Sequence, residues 1–123
     1  MQLEIETTVE GGRTIVTPRG EVDLVSQAQL KECLIDLIVS GQVDLAVDLT
    51  ETTFLDSTGL GTLISARRRV HALKGSFALV CPHERMLKLF RITSLDKIFA
   101  IHATRAALHG APGPETVPDV LPA

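Results

Sequence analysis

Two adjacent hydroxyls, Ser57 and Thr58, follow an acid, Asp56, and precede Gly59-Leu60-Gly61. Upstream, residues 43–49 place apolar side chains at Val43, Leu45, Val47 and Leu49 and read as a strand. Downstream, Leu60, Leu63, Ala66, Val70 and Leu73 recur in steps of three and four, which predicts a helix from about Ser57 to His71 or Leu73. A hydroxyl at that junction lies at the positive end of the helix, among backbone N–H groups with no intrahelical partner. Such a place suits an anion, phosphate above all. Plain helix capping by Ser or Thr, with the glycines serving close packing, fits the same six residues equally well. Enzyme chemistry fits poorly. Ser57 sits between Asp56 and Thr58-Gly59, which is no Gly-x-Ser-x-Gly elbow. The Lys of an ATP-binding loop is missing, and Gly59-Leu60-Gly61 alone is no dinucleotide fingerprint. An aspartic protease needs an uninterrupted Asp-Ser/Thr-Gly and a second copy, and neither is present. Ser57 reads as a group that is acted upon, and no catalytic residue is assigned.

Other reactive side chains are scattered. The four histidines, at 71, 83, 102 and 109, show no metal-ligand spacing, and no Cys-x-x-Cys occurs, so neither metal nor cofactor is expected. Cys33 shares an apolar helix face with Leu30, Leu34 and Leu37 and reads as a buried structural thiol. Cys81 ends an apolar strand before Pro82; a disulfide with Cys33 is the alternative, against the rarity of disulfides in reducing compartments. Net charge is −3, Trp and Tyr are absent, and the basic run Arg67-Arg68-Arg69 reads as a solvated helix rim. Nucleic-acid binding, which wants a basic face or stacking aromatics, is not expected. The acidic, alternating start Met1-Gln2-Leu3-Glu4-Ile5-Glu6 is unlike a signal peptide, and Asp36 breaks the longest apolar run. A cytoplasmic protein without membrane contact is expected.

The positioning elements follow from period and punctuation. Leu3, Ile5 and Thr7 alternate as a first strand, and Gly11-Gly12 turns the chain into a second over residues 14–19. Pro18 must sit near that strand's end or where its missing N–H is not needed. Ser26 and Gln29 have capping-box spacing for a first helix, striped by Leu30, Cys33, Leu34, Leu37 and Ile38 and stopped by Gly41. After the central strand and helix come Gly75, an apolar strand over 77–81, and a short helix from Pro82 to Phe90. A strand near 97–101 and a helix near 104–108 complete the pattern. Alternating strands and helices indicate α/β architecture with right-handed parallel crossovers. Asp44 and Asp48 share one face of the third strand, which predicts a wet face and helices on the other side only: two layers. Residues 1–109 are one domain; from Gly110 the prolines at 112, 114, 118 and 122 predict a disordered tail over 110–123.

Leu49-Thr50 followed by Phe54-Leu55-Asp56-Ser57-Thr58-Gly59-Leu60-Gly61 resembles the signature of the STAS domain, most of all that of the anti-sigma-factor antagonists. Gly20-Glu21-Val22-Asp23 resembles the family's turn after its second strand. Leu89-Phe90-Arg91-Ile92-Thr93-Ser94-Leu95 resembles a third landmark, with Ser94 in place of the usual glycine. The likeness runs from about residue 3 to 109 with the landmarks in order. It implies a mostly parallel sheet of four or five strands, hairpin-paired at one edge, with helices packed on one face.

For function, the resemblance implies a phosphorylation switch. The unmodified protein would bind an anti-sigma factor and so release a sigma factor. That anti-sigma factor would also be a serine kinase, phosphorylating Ser57 to end the interaction, and a serine phosphatase would reset it. Asp23, Asp56, Thr58 and Gly59 would shape the partner's footprint, although Asp23 also suits a plain turn cap and Asp56 a loop brace. The alternative is a STAS-like module that binds a nucleotide or anion at the helix start, or a regulatory subunit of a larger sensory or transport assembly.

Overall fold

The computed structural model describes residues 3–110. Strand β1 (Glu4–Glu10) and strand β2 (Arg13–Val22) form an antiparallel hairpin, with Glu4 opposite Arg19 and Glu10 opposite Arg13. Helix α1 (Gln27–Val39) leads into β3 (Asp44–Asp48), a short β4 (Thr52–Leu55) and helix α2 (Ser57–Ala72). Then come β5 (Ser76–Val80), α3 (Glu84–Ile92), a 3-10 turn (Leu95–Lys97), β6 (Ala100–His102) and α4 (Arg105–His109). The sheet has six strands in the order β1-β2-β3-β5-β6, with β4 beside β2, and every pairing except β1/β2 is parallel.

Strand β4 was not expected. Four residues, Thr52 to Leu55, carry too little alternation to announce a strand, yet they pair with Gly20, Glu21 and Val22. The strand that hands over to α2 is therefore β4, not the one at residues 43–49. Long β2 serves two partners in turn, β3 along Thr14 to Val16 and β4 from Gly20. Pro18 falls between these stretches, where one missing N–H is tolerated, and its carbonyl accepts from Thr52 Oγ1 at 2.9 Å. Gly20, at φ +118°, allows the bulge by which β2 changes partner.

The main core lies between one sheet face and α1, α2 and α3, and joins Val16, Leu45, Val47 and Leu79 to Leu34, Leu63, Val70 and Phe90. The other face is not simply wet. Ile15, Ala46, Ala78 and Val80 alternate onto it and are covered by Leu108 of α4. Asp48 there is 5% exposed, and its carboxylate accepts from Arg105 Nε at 2.7 Å, Thr50 N at 3.0 Å and Thr50 Oγ1 at 2.6 Å. Arg105 also reaches Glu10 at 2.8 Å and Thr17 at 2.7 Å, so α4 is clamped to three strands. The wet-face expectation fails at Asp48 because its partner lies 57 residues along the chain. The helix layer on one face stands, with α4 as a small cover on the other.

The Ser26/Gln29 capping box does not form. Gln29 Nε2 donates to the Leu3 carbonyl at 2.6 Å and Ser26 Oγ to the Glu21 carbonyl at 2.6 Å, so both side chains brace α1 against neighbouring segments instead. Ser94 adopts φ 61°, the left-handed conformation for which glycine is the natural residue. The tail expectation for residues 110–123 lies, beyond Gly110, outside the described residues.

Candidate functional site

The corner where β4 meets α2 is organised by Asp56. Its extended backbone and side-chain oxygen make it the N-cap of α2: Oδ1 accepts from Thr58 N at 3.0 Å and Gly59 N at 3.1 Å. Leu60 N is bonded to the Asp56 carbonyl at 3.0 Å, so the helix start is largely satisfied from within. The Thr58 hydroxyl is also engaged, donating to Asp56 Oδ1. Ser57 stands first in the helix with its side chain exposed, and its hydroxyl has no hydrogen-bond partner among the described residues. The two readings of the hexapeptide thus separate by residue. Asp56 caps, and Ser57 is left without a structural task.

Gly59 is fixed by packing. A Cβ there would lie 2.6 Å from Leu55 Cδ1, 2.8 Å from Val22 Cγ1 and 3.3 Å from the Val22 carbonyl oxygen. Only a bare Cα lets α2 approach β2 and β4 so closely, which holds Ser57 at the end of the sheet beside the β2–α1 loop. Gly61, by contrast, faces open space.

That loop carries Asp23. Asp23 Oδ1 accepts from Ser26 N at 2.9 Å and Val25 N at 3.1 Å, and Gln27 N donates to the Asp23 carbonyl at 2.8 Å. The loop and the helix start are tied together: Asp56 N donates to the Val22 carbonyl at 3.2 Å, and Thr62 Oγ1 to Gln27 Oε1 at 2.7 Å. The Asp23 carboxyl lies below its ordinary range, chiefly through Ser26. Asp56 is lowered as well, first by the Thr58 hydroxyl and then by the Gly59 amide, with the nearby Asp23 charge opposing. Both acids are ionised at neutral pH, and Ser57 stands in a negative corner.

Three side chains at this corner escaped sequence reasoning. Leu24 is 68% exposed, Val25 83% and Phe54 49%. Large apolar groups are thus exposed on the loop and strand that carry the two carboxylates. The available signal was two consecutive apolar residues, Leu24-Val25, between polar Asp23 and Ser26.

The remaining candidates lie elsewhere. Arg68 and Arg69 are exposed on α2, while Arg67 is half-buried. Both cysteines are free thiols, and the more buried is Cys81, not Cys33; burial pushes both thiols up and makes them poor nucleophiles. Among the described residues no group of three or more His, Cys, Asp or Glu is arranged to hold a metal ion, and no helix is long and apolar enough to cross a membrane.

Comparison with known proteins bears on the fold and the family. The STAS domain family model matches residues 4–108. The anti-sigma-B factor antagonist of Bacillus subtilis is 33% identical over 103 residues, covering 84% of this chain and 94% of the relative. Among solved structures, a putative anti-sigma factor antagonist from Thermotoga maritima superposes with TM-score 0.82 at 22% identity, covering 86% of this chain and 92% of that one. The Bacillus cell fate determinant SpoIIAA in its phosphorylated form gives TM-score 0.66 at 21% identity, covering 86% and 96%. With the family model spanning nearly every described residue, and with a relative that is a regulator by name, this chain belongs to the STAS domain family and groups with its anti-sigma-factor antagonists.

Proposed function

We propose that this protein is an anti-sigma-factor antagonist switched by phosphorylation of Ser57. Unphosphorylated, it binds an anti-sigma factor that has serine-kinase activity, and a sigma factor is released. The kinase transfers the γ-phosphoryl group of ATP to Ser57 Oγ, whose proton is lost, and the complex dissociates. A serine phosphatase hydrolyses the ester and restores binding, all of it in the cytoplasm. The observation that carries this reading is the division of labour at the helix start. Asp56 caps α2 and holds the Thr58 hydroxyl, which leaves Ser57 the exposed, uncommitted hydroxyl of the corner.

The electrostatics support it. A phosphoserine adds about −1.5 to −2 of charge and three acceptor oxygens. The amides of Thr58 and Gly59 are already used by Asp56, so little is left at the helix start to neutralise the ester. The new charge adds to those of Asp23 and Asp56 on a surface that also presents Leu24, Val25 and Phe54. A partner packed over those apolar groups would desolvate a dianion, a cost of about 3 kcal/mol or roughly a hundredfold in affinity. The same occupancy weighs against a nucleotide or free anion at the helix start, which would have to displace the Asp56 carboxylate.

The test is incubation with purified anti-sigma kinases of the same organism and ATP, with the phosphate located by mass spectrometry. Ser57→Ala should bind the partner and accept no phosphate. Ser57→Asp should fold normally and bind weakly, and Thr58→Ala should still be phosphorylated. Phosphate transfer that survives Ser57→Ala and disappears in Thr58→Ala would overturn the assignment.

A further inference from the structure

Beside the Ser57 corner, β4 and α3 enclose an open groove of about 640 Å³. Its apolar lining comes from Phe54, Leu55, Met86, Leu89 and Ile92. Thr50 and His83 also line it, with His83 Nε2 2.8 Å from the Thr50 carbonyl. Phe54 is 49% and Ile92 71% exposed, so the groove is too open to enclose a small molecule and matches the side of a polypeptide segment. Its charge is distinctive. Arg85 and Lys88 line it, both are exposed, and neither has an acidic partner among the described residues, whereas neighbouring Arg91 lies 3.9 Å from Glu84. The Ser57 corner is acidic and the groove basic, and the two are continuous along Phe54-Leu55-Asp56-Ser57.

We propose that the β4–α3 groove is the second half of the partner surface and receives an acidic segment of the anti-sigma factor that has one apolar face. The apolar face would cover Phe54, Leu89 and Ile92, and its acids would pair with Arg85 and Lys88. The inference rests on the function proposed above and adds a charge pattern to it: the partner presents a basic patch to Asp23 and Asp56 and an acidic one to the groove. Opposed patterns of this kind fix orientation as well as affinity.

The test measures affinity for the purified anti-sigma kinase that phosphorylates this protein. Wild type is compared with Phe54→Ser/Ile92→Ser, with Arg85→Glu/Lys88→Glu and with Ser57→Asp. All four groove side chains are exposed, so melting temperatures should stay close to wild type, and thermal scans check this. Each groove variant should lose about tenfold or more in affinity, while Arg68→Glu/Arg69→Glu, an equal charge change on α2, should lose less than about threefold. Groove variants that bind like wild type while Ser57→Asp binds weakly would overturn the groove and leave the switch standing. Groove variants that bind weakly while Ser57→Asp binds normally would support the groove and overturn the switch. Residues 111–123 contain two acids, Glu115 and Asp119, and no base. If deleting them tightens binding by about fivefold or more, the groove's occupant is this chain's own tail and the proposal is wrong.

Discussion

Helix α2 contains two glycines two residues apart whose replacement by alanine should act in opposite directions. At Gly61 the new methyl meets nothing within 4 Å, so Gly61→Ala gains only helix propensity, about 0.5–1 kcal/mol. At Gly59 the same gain is opposed by packing. The methyl would sit 2.6 Å from Leu55 Cδ1 and 2.8 Å from Val22 Cγ1, more than half an ångström inside ordinary carbon contact. Val22 is fully buried and stiff at χ1, and Leu55 is 6% exposed, so neither can swing into solvent. Overpacking of this kind costs about 1–3 kcal/mol, which leaves Gly59→Ala destabilised by about 1 kcal/mol net. For a domain of this size the two variants should melt about 2–4 °C above and about 4 °C below wild type. Paired thermal scans, with urea titrations to confirm that the cooperativity is unchanged, provide the measurement. Gly59→Ala should also push the start of α2 off the sheet and weaken partner binding, an effect absent in Gly61→Ala. If Gly59→Ala raises the melting temperature as Gly61→Ala does, the close approach of α2 to β2 and β4 is not what Gly59 provides, and the packing argument fails.

Three further outcomes are expected. Arg105→Met leaves the Asp48 carboxylate buried without its cation and should cost about 2–3 kcal/mol in urea unfolding at pH 7, below the 3–5 typical of a fully buried pair because Arg105 is a third exposed. Burial by itself would raise the Asp48 carboxyl, but Thr50 and Arg105 outweigh it and hold it below 3.8. Its stabilisation is therefore complete above that value and lost as pH falls through the lower folded value, and the Arg105→Met deficit should shrink at pH 3. Ser94→Gly should stabilise by about 0.5–1 kcal/mol in the same assay, since relief of a left-handed serine exceeds the added chain entropy. Asp56→Ala removes the cap of α2 and should lower the melting temperature by about 4 °C, whereas Ser57→Ala should leave it nearly unchanged; equal losses would mean that Ser57 shares the capping.

What could be read from the chain alone was what local chemistry dictates. The Ser57 helix was legible because its apolar stripe and its N-terminal acid and hydroxyls lie within one stretch, and the structure starts and ends it within a residue or so of that reading. The β1/β2 hairpin, α1, β3 and β5 followed from period and glycine punctuation in the same way. The family resemblance rested on three local landmarks in order. Tertiary structure decided the rest. Strand β4 exists because β2 offers it an edge, and four residues carry no period of their own. Asp48 looks like a surface acid until Arg105 folds back on it from α4. Ser26 and Gln29 have the spacing of a capping box but find stronger partners in Glu21 and Leu3. At the site itself, the sequence shows an acid and two hydroxyls in a row without saying which of them caps. That depends on which side chain the backbone turns toward the free amides. Asp56 has the extended backbone and the reach to accept from Thr58 and Gly59, and Ser57 is released to solvent by the same geometry.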